Sequence, residues 1–493
     1  MRIGFDSQKY VELQAAHIRE RIGSFGGKLY LEFGGKLFDD MHASRVLPGF
    51  APDEKIRMLQ SFKDDVEIIV AVNANDIESG KVRGDLGITY DEDVLRLIDI
   101  FQGMGFLVSA VVVTRYAGQP AADVFRARLD AMGMRSYRHY PIAGYPVDVD
   151  YVVSDEGFGK NDYIETTRPL VVMTAPGPGS GKMATCLSQI YLDAKHGIKA
   201  GYAKYETFPI WNLPLKHPVN LAYEAATADL NDVNMIDPFH LEAYGKVAVN
   251  YNRDVETFPV LKAMMERILG ASPYQSPTDM GVNMAGLAIC DDEAVCDTAR
   301  MEIVRRYFNA CVNAKRTGCG ANQVSKLKML MKQAGVTPDL SPIRAAALAK
   351  EEATGKPAGA LMLPNGEVIS GRTSTRLGAA SSLLLNALKY LAGIPEETYI
   401  ISNEAIDPIC HLKTELLHSK NPRLHPDEML IALSLSSATE PLAARAIEAA
   451  EQLRGCDAFF SVIISSADEK LYRTLGINVS CEAKYERSSY YHK

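Results

Sequence analysis

The sequence lacks the features that would place it among membrane or nucleic-acid-binding proteins. It contains no run of 18 consecutive apolar residues, and Lys and Arg (53) are outnumbered by Asp and Glu (61), which gives a formal net charge of −8. Without a long apolar run, the chain is not expected to span a membrane. Because basic residues are not in excess, the chain is not expected to bind nucleic acid, whose phosphate backbone requires a positive field on the protein.

The sequence also lacks any Cys-x-x-Cys pair. Its eight cysteines are scattered, so neither a disulfide framework nor a structural zinc site is predicted. Cys290 and Cys296 are the closest pair, but six residues on a helix turn through about 600° and place them on different sides. We expect eight buried thiols. The early charges of Asp6 and Lys9 leave no room for a signal peptide, which predicts a cytoplasmic location.

From residue 67 onward, short β-branched runs alternate with amphipathic stretches of helical period, a pattern typical of βα units. Residues 1–235 are therefore predicted to form a doubly wound α/β domain. Its predicted strands are residues 67–73, 107–114, 149–153, 170–174 and 199–204.

The pattern changes twice in the remainder of the chain. Residues 236–350 show long helical patterns without strands and are predicted to form a helical domain. Residues 351–493 are predicted to form a second α/β domain, which opens with a hairpin around Asn365-Gly366. Its further predicted strands are residues 398–401, 429–435 and 458–464.

The most informative segment follows the predicted strand at 170–174. It reads Ala-Pro-Gly-Pro-Gly-Ser-Gly-Lys-Met at 175–183 and leads into a helical pattern. Glycines let the backbone turn tightly and direct N–H groups inward, while a helix N-terminus and a lysine add positive charge. This order predicts a phosphate-binding loop formed by Gly177, Gly179, Ser180, Gly181 and Lys182.

The loop departs from the standard pattern Gly-x-x-x-x-Gly-Lys-[Ser/Thr]. Pro176 occupies the position where the pattern has its first glycine, and Met183 occupies the position of the Ser or Thr whose hydroxyl would hold magnesium. Thr185 belongs to the candidate cofactor-binding residues, but it cannot simply replace that hydroxyl, because two further helical residues turn the side chain by about 200°. ATP with Mg²⁺ remains the candidate cofactor, with metal ligands that the sequence leaves unknown.

The next predicted strand ends at Lys204, followed shortly by Glu206. An acidic residue at this place holds the ribose in dinucleotide sites, which leaves an NAD-type oxidoreductase as an alternative. The loop does not fit Gly-x-Gly-x-x-Gly, however, because Lys182 stands three residues after Gly179. Lys204 resembles the lysine that follows the second strand in P-loop ligases similar to dethiobiotin synthetase, and this interpretation ranks above the dinucleotide one.

Two segments carry a resemblance to a known family: Gly-Phe-Asp-Ser-Gln-Lys-Tyr at 4–10 and Ala-Pro-Gly-Pro-Gly-Ser-Gly-Lys-Met-Ala-Thr-Cys at 175–186. With them the whole chain resembles a bacterial family described as a domain of unknown function. The resemblance implies a multidomain cytosolic protein and includes the variant loop with its methionine. It supplies no reaction, substrate or catalytic residue.

Two further clusters are candidates for a substrate or a metal. Arg372, Ser374 and Arg376 precede an apolar helix and are suited to a phosphate or carboxylate, or else they are a capped helix with solvated arginines. Asp237 is a candidate catalytic acid that could place a metal, as could Asp229 or Asp232, although Asp237-Pro238 is more typical of a turn or a helix start.

These observations predict a protein that binds a small phosphorylated molecule, most simply a nucleotide. Catalysis would be phosphoryl transfer or ATP-dependent ligation, with Lys182 neutralising charge and an acid such as Asp237 placing a metal. A non-catalytic sensor of a phosphorylated metabolite is the alternative from another class. An aromatic C-terminal tail with Tyr485, Tyr490 and Tyr491 suggests either docking on a neighbouring subunit in a homo-oligomer or simple disorder.

Overall fold

A computed structural model describes residues 2–34, 37–38, 40–83, 86–230 and 232–486. It divides into two compact units, residues 2–299 and residue 300 onward. The predicted domain boundaries at 235 and 350 fall inside these units. Of the helices in the described residues, none combines the length and apolar character that a bilayer crossing requires. Tyr490 and Tyr491 of the predicted docking tail lie outside the described residues.

A seven-stranded parallel sheet organises the first unit. Its order is β11-β8-β1-β7-β2-β5-β6, and two antiparallel pairs, β3 with β4 and β9 with β10, stand apart from it. The strands are β1 Leu29–Phe33, β2 Val66–Asn73, β3 Val82–Arg83, β4 Ile88–Thr89, β5 Leu107–Thr114, β6 Ser136–Arg138, β7 Leu170–Thr174, β8 Gly201–Tyr205, β9 Asn234–Ile236, β10 Val249–Tyr251 and β11 Gly281–Val282.

Helices cover both faces of this sheet, so the predicted doubly wound α/β fold is confirmed. One face packs against α1, α3, α5 and α6, and the other packs against α8 and α11. Burial on both faces explains why the central strands are continuous apolar runs. The helices are α1 Ser7–Ser24, α2 Met41–Val46, α3 Glu54–Gln60, α4 Ala74–Glu78, α5 Tyr90–Gly103, α6 Pro120–Ala131, α7 Val149–Val152, α8 Lys182–Lys195, α9 Pro218–Ala226, α10 Pro238–Tyr244, α11 Asn252–Leu269 and α12 Pro277–Met280.

The long helix α13, Asp292–Thr317, begins in the first unit, and the second unit continues with helices and a small sheet. The predicted helical region followed by a second α/β region is confirmed, but the prediction that residues 236–350 contain no strands is wrong, because β10 and β11 lie there and β11 pairs with β8 in the large sheet. The sheet has the order β13-β12-β14-β15. Its strands are β12 Ala358–Met362, β13 Val368–Arg372, β14 Asp457–Phe460 and β15 Asn478–Cys481, and the helices are α14 Ala321–Gln333, α15 Pro342–Thr354, α16 Ala379–Leu391, α17 Asn403–His411, α18 Pro426–Ser436, α19 Pro441–Glu448 and α20 Ser466–Thr474.

Three predicted strands are wrong. Residues 149–153 contain helix α7, whose first turn is capped by the Asp148 carboxylate, and residues 429–435 lie inside α18. Residues 398–401 form no strand. A short apolar run does not by itself distinguish a strand from a buried helical segment, and here local capping decides for the helix.

The prediction of eight buried thiols is also wrong in part. None of the eight cysteines, all of which lie among the described residues, forms a disulfide bond, but Cys290 and Cys319 are exposed. Both lie just beyond the ends of regular elements, where the chain runs over the surface.

Candidate functional site

The glycine-rich loop follows the middle strand of the large sheet. β7 lies between β1 and β2 and is buried along its whole length, and α8 begins at Lys182 directly after the loop. The strand, loop and helix therefore occur in the predicted order. Because the neighbouring strands run parallel to β7, their carboxyl ends meet beside the loop.

Side chains from two of those strand ends hold the loop's carbonyl groups. Asn73 donates from Nδ2 to the Gly179 carbonyl at 3.4 Å, and Thr114 donates from Oγ1 to the Ser180 carbonyl at 2.7 Å. The peptide bonds that join residues 179 to 180 and 180 to 181 are trans, so the N–H of each bond points opposite to its C=O. The N–H groups of Ser180 and Gly181 consequently point away from the strand ends that hold the carbonyls.

A row of backbone N–H groups is left without partners. Among the described residues, none of the N–H groups of residues 179–184 has a protein acceptor. The first N–H groups of any helix are unpaired, and here the loop extends that row backward. Gly179 and Gly181 have positive φ values of 75° and 81°, a backbone shape that forms anion-binding concavities. The positive end of the α8 dipole adds to the attraction.

Glycine is required at position 177 for packing. A Cβ there would lie 2.3 Å from the Tyr90 hydroxyl, so only glycine lets the loop rest against that ring. Ser180 is buried, and its hydroxyl donates to the Gly177 carbonyl and closes the loop on itself. The predicted phosphate contact of Ser180 would therefore come from its N–H.

Lys182 and Thr185 occupy the first turn of α8. Lys182 is half-buried, and within the described part of the chain no ion pair or hydrogen bond engages its ammonium. Burial raises the pKa of the nearby Cys186 thiol, as does the charge of Glu32, while the charge of Lys182 lowers it. Thr185 is fully buried, and its hydroxyl has no hydrogen-bond partner among the described atoms. Both predicted residues thus retain unused polar groups at the start of the helix.

Lys204, at the end of β8, differs from Lys182 because acids engage it. Its ammonium lies 2.7 Å from a Glu206 oxygen and also contacts Asp254 and the Tyr251 hydroxyl. Burial raises the pKa of Glu206 to about 8, even though the neighbouring Lys204 lowers it. The predicted phosphate contact of Lys204 would have to compete with Asp254 and Glu206.

Glu32 is a charged residue of this edge that the sequence analysis did not single out. It is paired in register with Lys204 across β1 and β8, and its carboxylate accepts a 2.7 Å hydrogen bond from Tyr202. The same carboxylate acts on the pKa values of Cys186 and Lys204, so it lies near both α8 and the group formed by Lys204, Glu206, Tyr251 and Asp254, here called the lysine cluster. An acid inside the apolar run Leu29–Phe33 is the signal that could have identified it.

Asp237 lies elsewhere in the first unit and serves as a helix cap. One carboxylate oxygen accepts from the N–H groups of Phe239 and His240 at 3.0 Å each, and the other accepts from the N–H and hydroxyl of Thr278 at 3.2 and 2.6 Å. Four donors occupy the roughly four lone-pair positions that a carboxylate offers. The predicted role of Asp237 in placing a metal would require this cap to open. Asp232, another predicted acid, pairs with Arg253 at 2.9 Å.

The predicted substrate residues belong to the second unit: Arg372 is the last residue of β13, and Ser374 and Arg376 follow it. Arg376 donates to the Asn403 side chain at 2.7 Å and pairs with Asp407 at 3.3 Å. The Ser374 hydroxyl accepts from the N–H groups of Arg376 and Leu377 and stabilises a turn. The guanidinium of Arg372 reaches the neighbouring Thr373 carbonyl at 3.3 Å. An anion here would therefore have to displace existing partners of Arg376.

An open cavity of about 600 Å³ lies near α7 and α11. It shares no residue with the loop or with the lysine cluster. Its lining includes Asp148, Asp150, Glu266 and Arg267.

The fold and the loop define an α/β protein with a glycine-rich strand–loop–helix unit at the carboxyl edge of a parallel sheet. "Domain of unknown function DUF1846, N-terminal" matches residues 3–335, and "Domain of unknown function DUF1846, C-terminal" matches residues 339–491. The chain belongs to this family, which confirms the resemblance seen in the sequence.

Relatives match the chain along nearly its whole length. A UPF0371 protein of Streptococcus thermophilus is 56% identical over 489 residues, 99% of each chain. A UPF0371 protein of Streptococcus sanguinis is 55% identical over 492 residues, 100% of each chain. A UPF0371 protein of Streptococcus pneumoniae is 55% identical over 489 residues, 99% of each chain.

Gly179→Ala and Gly197→Ala form a matched pair of variants at the two ends of α8. Both glycines have a φ of 75°, and a Cβ at either would meet no atom within 4 Å. Each substitution should lower the free energy of unfolding by about 1 kcal/mol, the cost of a side chain in the left-handed region. If the loop binds phosphate as the sequence predicts, only Gly179→Ala should weaken the binding of ATP in calorimetry, because relief of the strain would turn the Ser180 N–H away. Equal binding by both variants would contradict the assignment of the loop.

The raised pKa of Glu206 predicts an unusual dependence of folding stability on pH. Its pKa is raised from 4.5 to about 8 in the folded protein, so between these values the folded state binds more protons than the unfolded state. Stability should therefore fall as pH rises from about 5 to 8, by on the order of 1 kcal/mol per pH unit. Urea unfolding of Glu206→Gln should show a flatter pH profile, whereas the exposed control Glu242→Gln should match the wild type. An unchanged slope in Glu206→Gln would refute this account.

Proposed function

We propose that the loop of residues 177–182 binds the phosphate group of a small phosphorylated metabolite, most simply a nucleotide such as ATP. The observation that supports this most directly is the row of N–H groups at 179–184 that have no acceptor in the described part of the chain, next to a lysine that no described acid neutralises. N–H donors at a helix start favour an anion, and a lysine adds a full charge. A phosphate would satisfy both sets of donors at once.

In the proposed reaction, Lys182 neutralises charge on the transferred phosphoryl group during phosphoryl transfer or ATP-dependent ligation. The Mg²⁺ contact would not come from position 183, where methionine stands. We assign it to Glu32, because Tyr202 holds this carboxylate by a neutral hydrogen bond while Lys204 is occupied by Glu206 and Asp254. Carboxylate oxygens are ligands that Mg²⁺ prefers.

A non-catalytic sensor of a phosphorylated metabolite is the second candidate. Met183 favours it, because the hydroxyl that holds the metal in ordinary loops is absent. The Asp237 carboxylate favours the sensor as well, because it already accepts four hydrogen bonds. Such a protein would bind ATP equally well with and without Mg²⁺, whereas an enzyme of the proposed kind would require the metal.

The proposal also includes a cytoplasmic location and a homo-oligomeric state. The eight free cysteines support a reducing compartment. The half-exposed Tyr485, at the start of the aromatic tail, supports contact with a second copy. Sedimentation velocity that returns the mass of one chain would overturn the oligomer.

Lys182→Ala tests the site, and Lys195→Ala provides a control on the same helix. Lys182 lies at the positive end of α8, whereas Lys195 lies in its last turn and pairs with Asp155. Lys182→Ala should weaken ATP binding roughly 10- to 100-fold, the range expected for loss of a charged hydrogen bond. Lys195→Ala should bind as the wild type does.

Calorimetric titrations with Mg²⁺ and with EDTA complete this experiment. A strong requirement for Mg²⁺ supports the enzyme, and indifference to Mg²⁺ supports the sensor. If Lys182→Ala bound ATP as tightly as Lys195→Ala, neither function could be assigned to this loop.

A further inference from the structure

Three side chains of different chemistry meet at the start of α13, away from the loop and the lysine cluster. His217 caps α9, Asp292 is the first residue of α13, and Cys296 follows it by one helical turn. Their ligand atoms all lie within 4.8 Å of one another. Seventy-five residues separate His217 from Asp292 in the chain, so no local spacing in the sequence reveals the group.

The distances between these side chains are close to the edges of a metal tetrahedron, with His217 and Cys296 approaching different oxygens of Asp292. His217 Nε2 lies 3.0 Å from Asp292 Oδ1 and 3.4 Å from Cys296 Sγ, and Cys296 Sγ lies 3.8 Å from Asp292 Oδ2. Zinc bonds of 2.0–2.3 Å at tetrahedral angles give edges of roughly 3.3–3.6 Å. One ion could therefore touch all three side chains after small adjustments.

Of the three consecutive acids at positions 291–293, Asp292 is the one that contacts His217. Arg2 contacts Asp291 and pairs with Glu293 at 2.7 Å, and thereby engages the acids on either side of Asp292. Among the described residues, no lysine or arginine pairs with Asp292, whose carboxylate instead contacts His217. The Asp292 side chain is 68% exposed, so the fourth position of a tetrahedron there would be open to solvent.

We infer that His217, Asp292 and Cys296 form a binding site for a single Zn²⁺ ion with one open coordination position. Nitrogen, sulfur and oxygen donors together suit zinc, whereas an oxygen-only set would suit magnesium or calcium. Three protein ligands with an open fourth position are the arrangement of catalytic rather than structural zinc sites. The site stands independently of the proposed nucleotide loop.

Metal uptake requires two proton movements. The Cys296 thiol loses its proton to solvent, because the thiolate is the ligand. In the metal-free arrangement, His217 Nδ1 accepts from the Val219 N–H at 3.3 Å, so Nε2 carries the ring proton. For Nε2 to bind zinc, this proton moves to Nδ1 and the long capping bond to Val219 is lost. Zinc affinity should therefore rise with pH.

Titration of the full-length, reduced protein with Co²⁺, followed by competition with Zn²⁺, tests the inference. Cobalt reports a thiolate ligand by a charge-transfer band and a tetrahedral site by its visible spectrum. The wild type should bind one Co²⁺ with both signatures, and Zn²⁺ should displace it. Cys290→Ser removes an exposed thiol only six residues away and should behave as the wild type does.

Removal of a ligand should change these signals. Cys296→Ser should lose the charge-transfer band, and Asp292→Asn, at an exposed position that leaves the core intact, should lower zinc affinity at least about tenfold. The inference is overturned if the wild type takes up no cobalt, if the band survives in Cys296→Ser, or if Asp292→Asn binds zinc as tightly as the wild type. Should Cys296→Ser fail to fold, Asp292→Asn alone decides.

Discussion

The hydrogen bond from Thr114 to the Ser180 carbonyl, assisted by the longer one from Asn73 to Gly179, is the contact on which the candidate site depends. Both donors stand at the last position of a buried parallel strand, so the sheet itself fixes where they lie. A carbonyl that is held on one side commits the N–H of the same peptide to the other side. The sheet thus determines which way the N–H groups of the glycine-rich turn face.

Two lysines at this edge have different roles because their surroundings differ. Although burial lowers it, the pKa of Lys204 is raised well above its usual value by Asp254 and Glu206. Its ammonium is thereby held in a buried ion pair, and removal of one partner would strongly destabilise the fold. Lys182 has no such partner among the described residues and is the cation available to a ligand. Glu32 is the register partner of Lys204 and, like Lys182, acts on the pKa of Cys186.

The architecture was largely predictable, because long parallel strands and the glycine loop leave strong local patterns. The loop, its helix and the strands that end at Asn73 and Thr114 all lie at predicted residues. The errors at 149–153 and 429–435 arose where β-branched or apolar runs were short and local capping favoured a helix. Composition over a few residues does not carry that information.

The site was less predictable, because its members are distant in the chain and meet only in the folded sheet. The partners of Lys204 include Asp254, fifty residues later, and the zinc ligands are similarly dispersed. Asp237 was chosen for its residue type and position in the sequence, and the fold uses that carboxylate to cap a helix. A sequence shows which groups can do chemistry, whereas their neighbours decide whether they are free to do it.

Hydrogen–deuterium exchange of the full-length protein, measured with and without ATP, addresses the central claim most directly, since it reports on the amides themselves. If the N–H groups of residues 179–184 hold the phosphates, saturating ATP should slow exchange in the peptide that contains them more than in any other. The account would be contradicted if ATP bound and protected other segments while exchange in this peptide stayed unchanged.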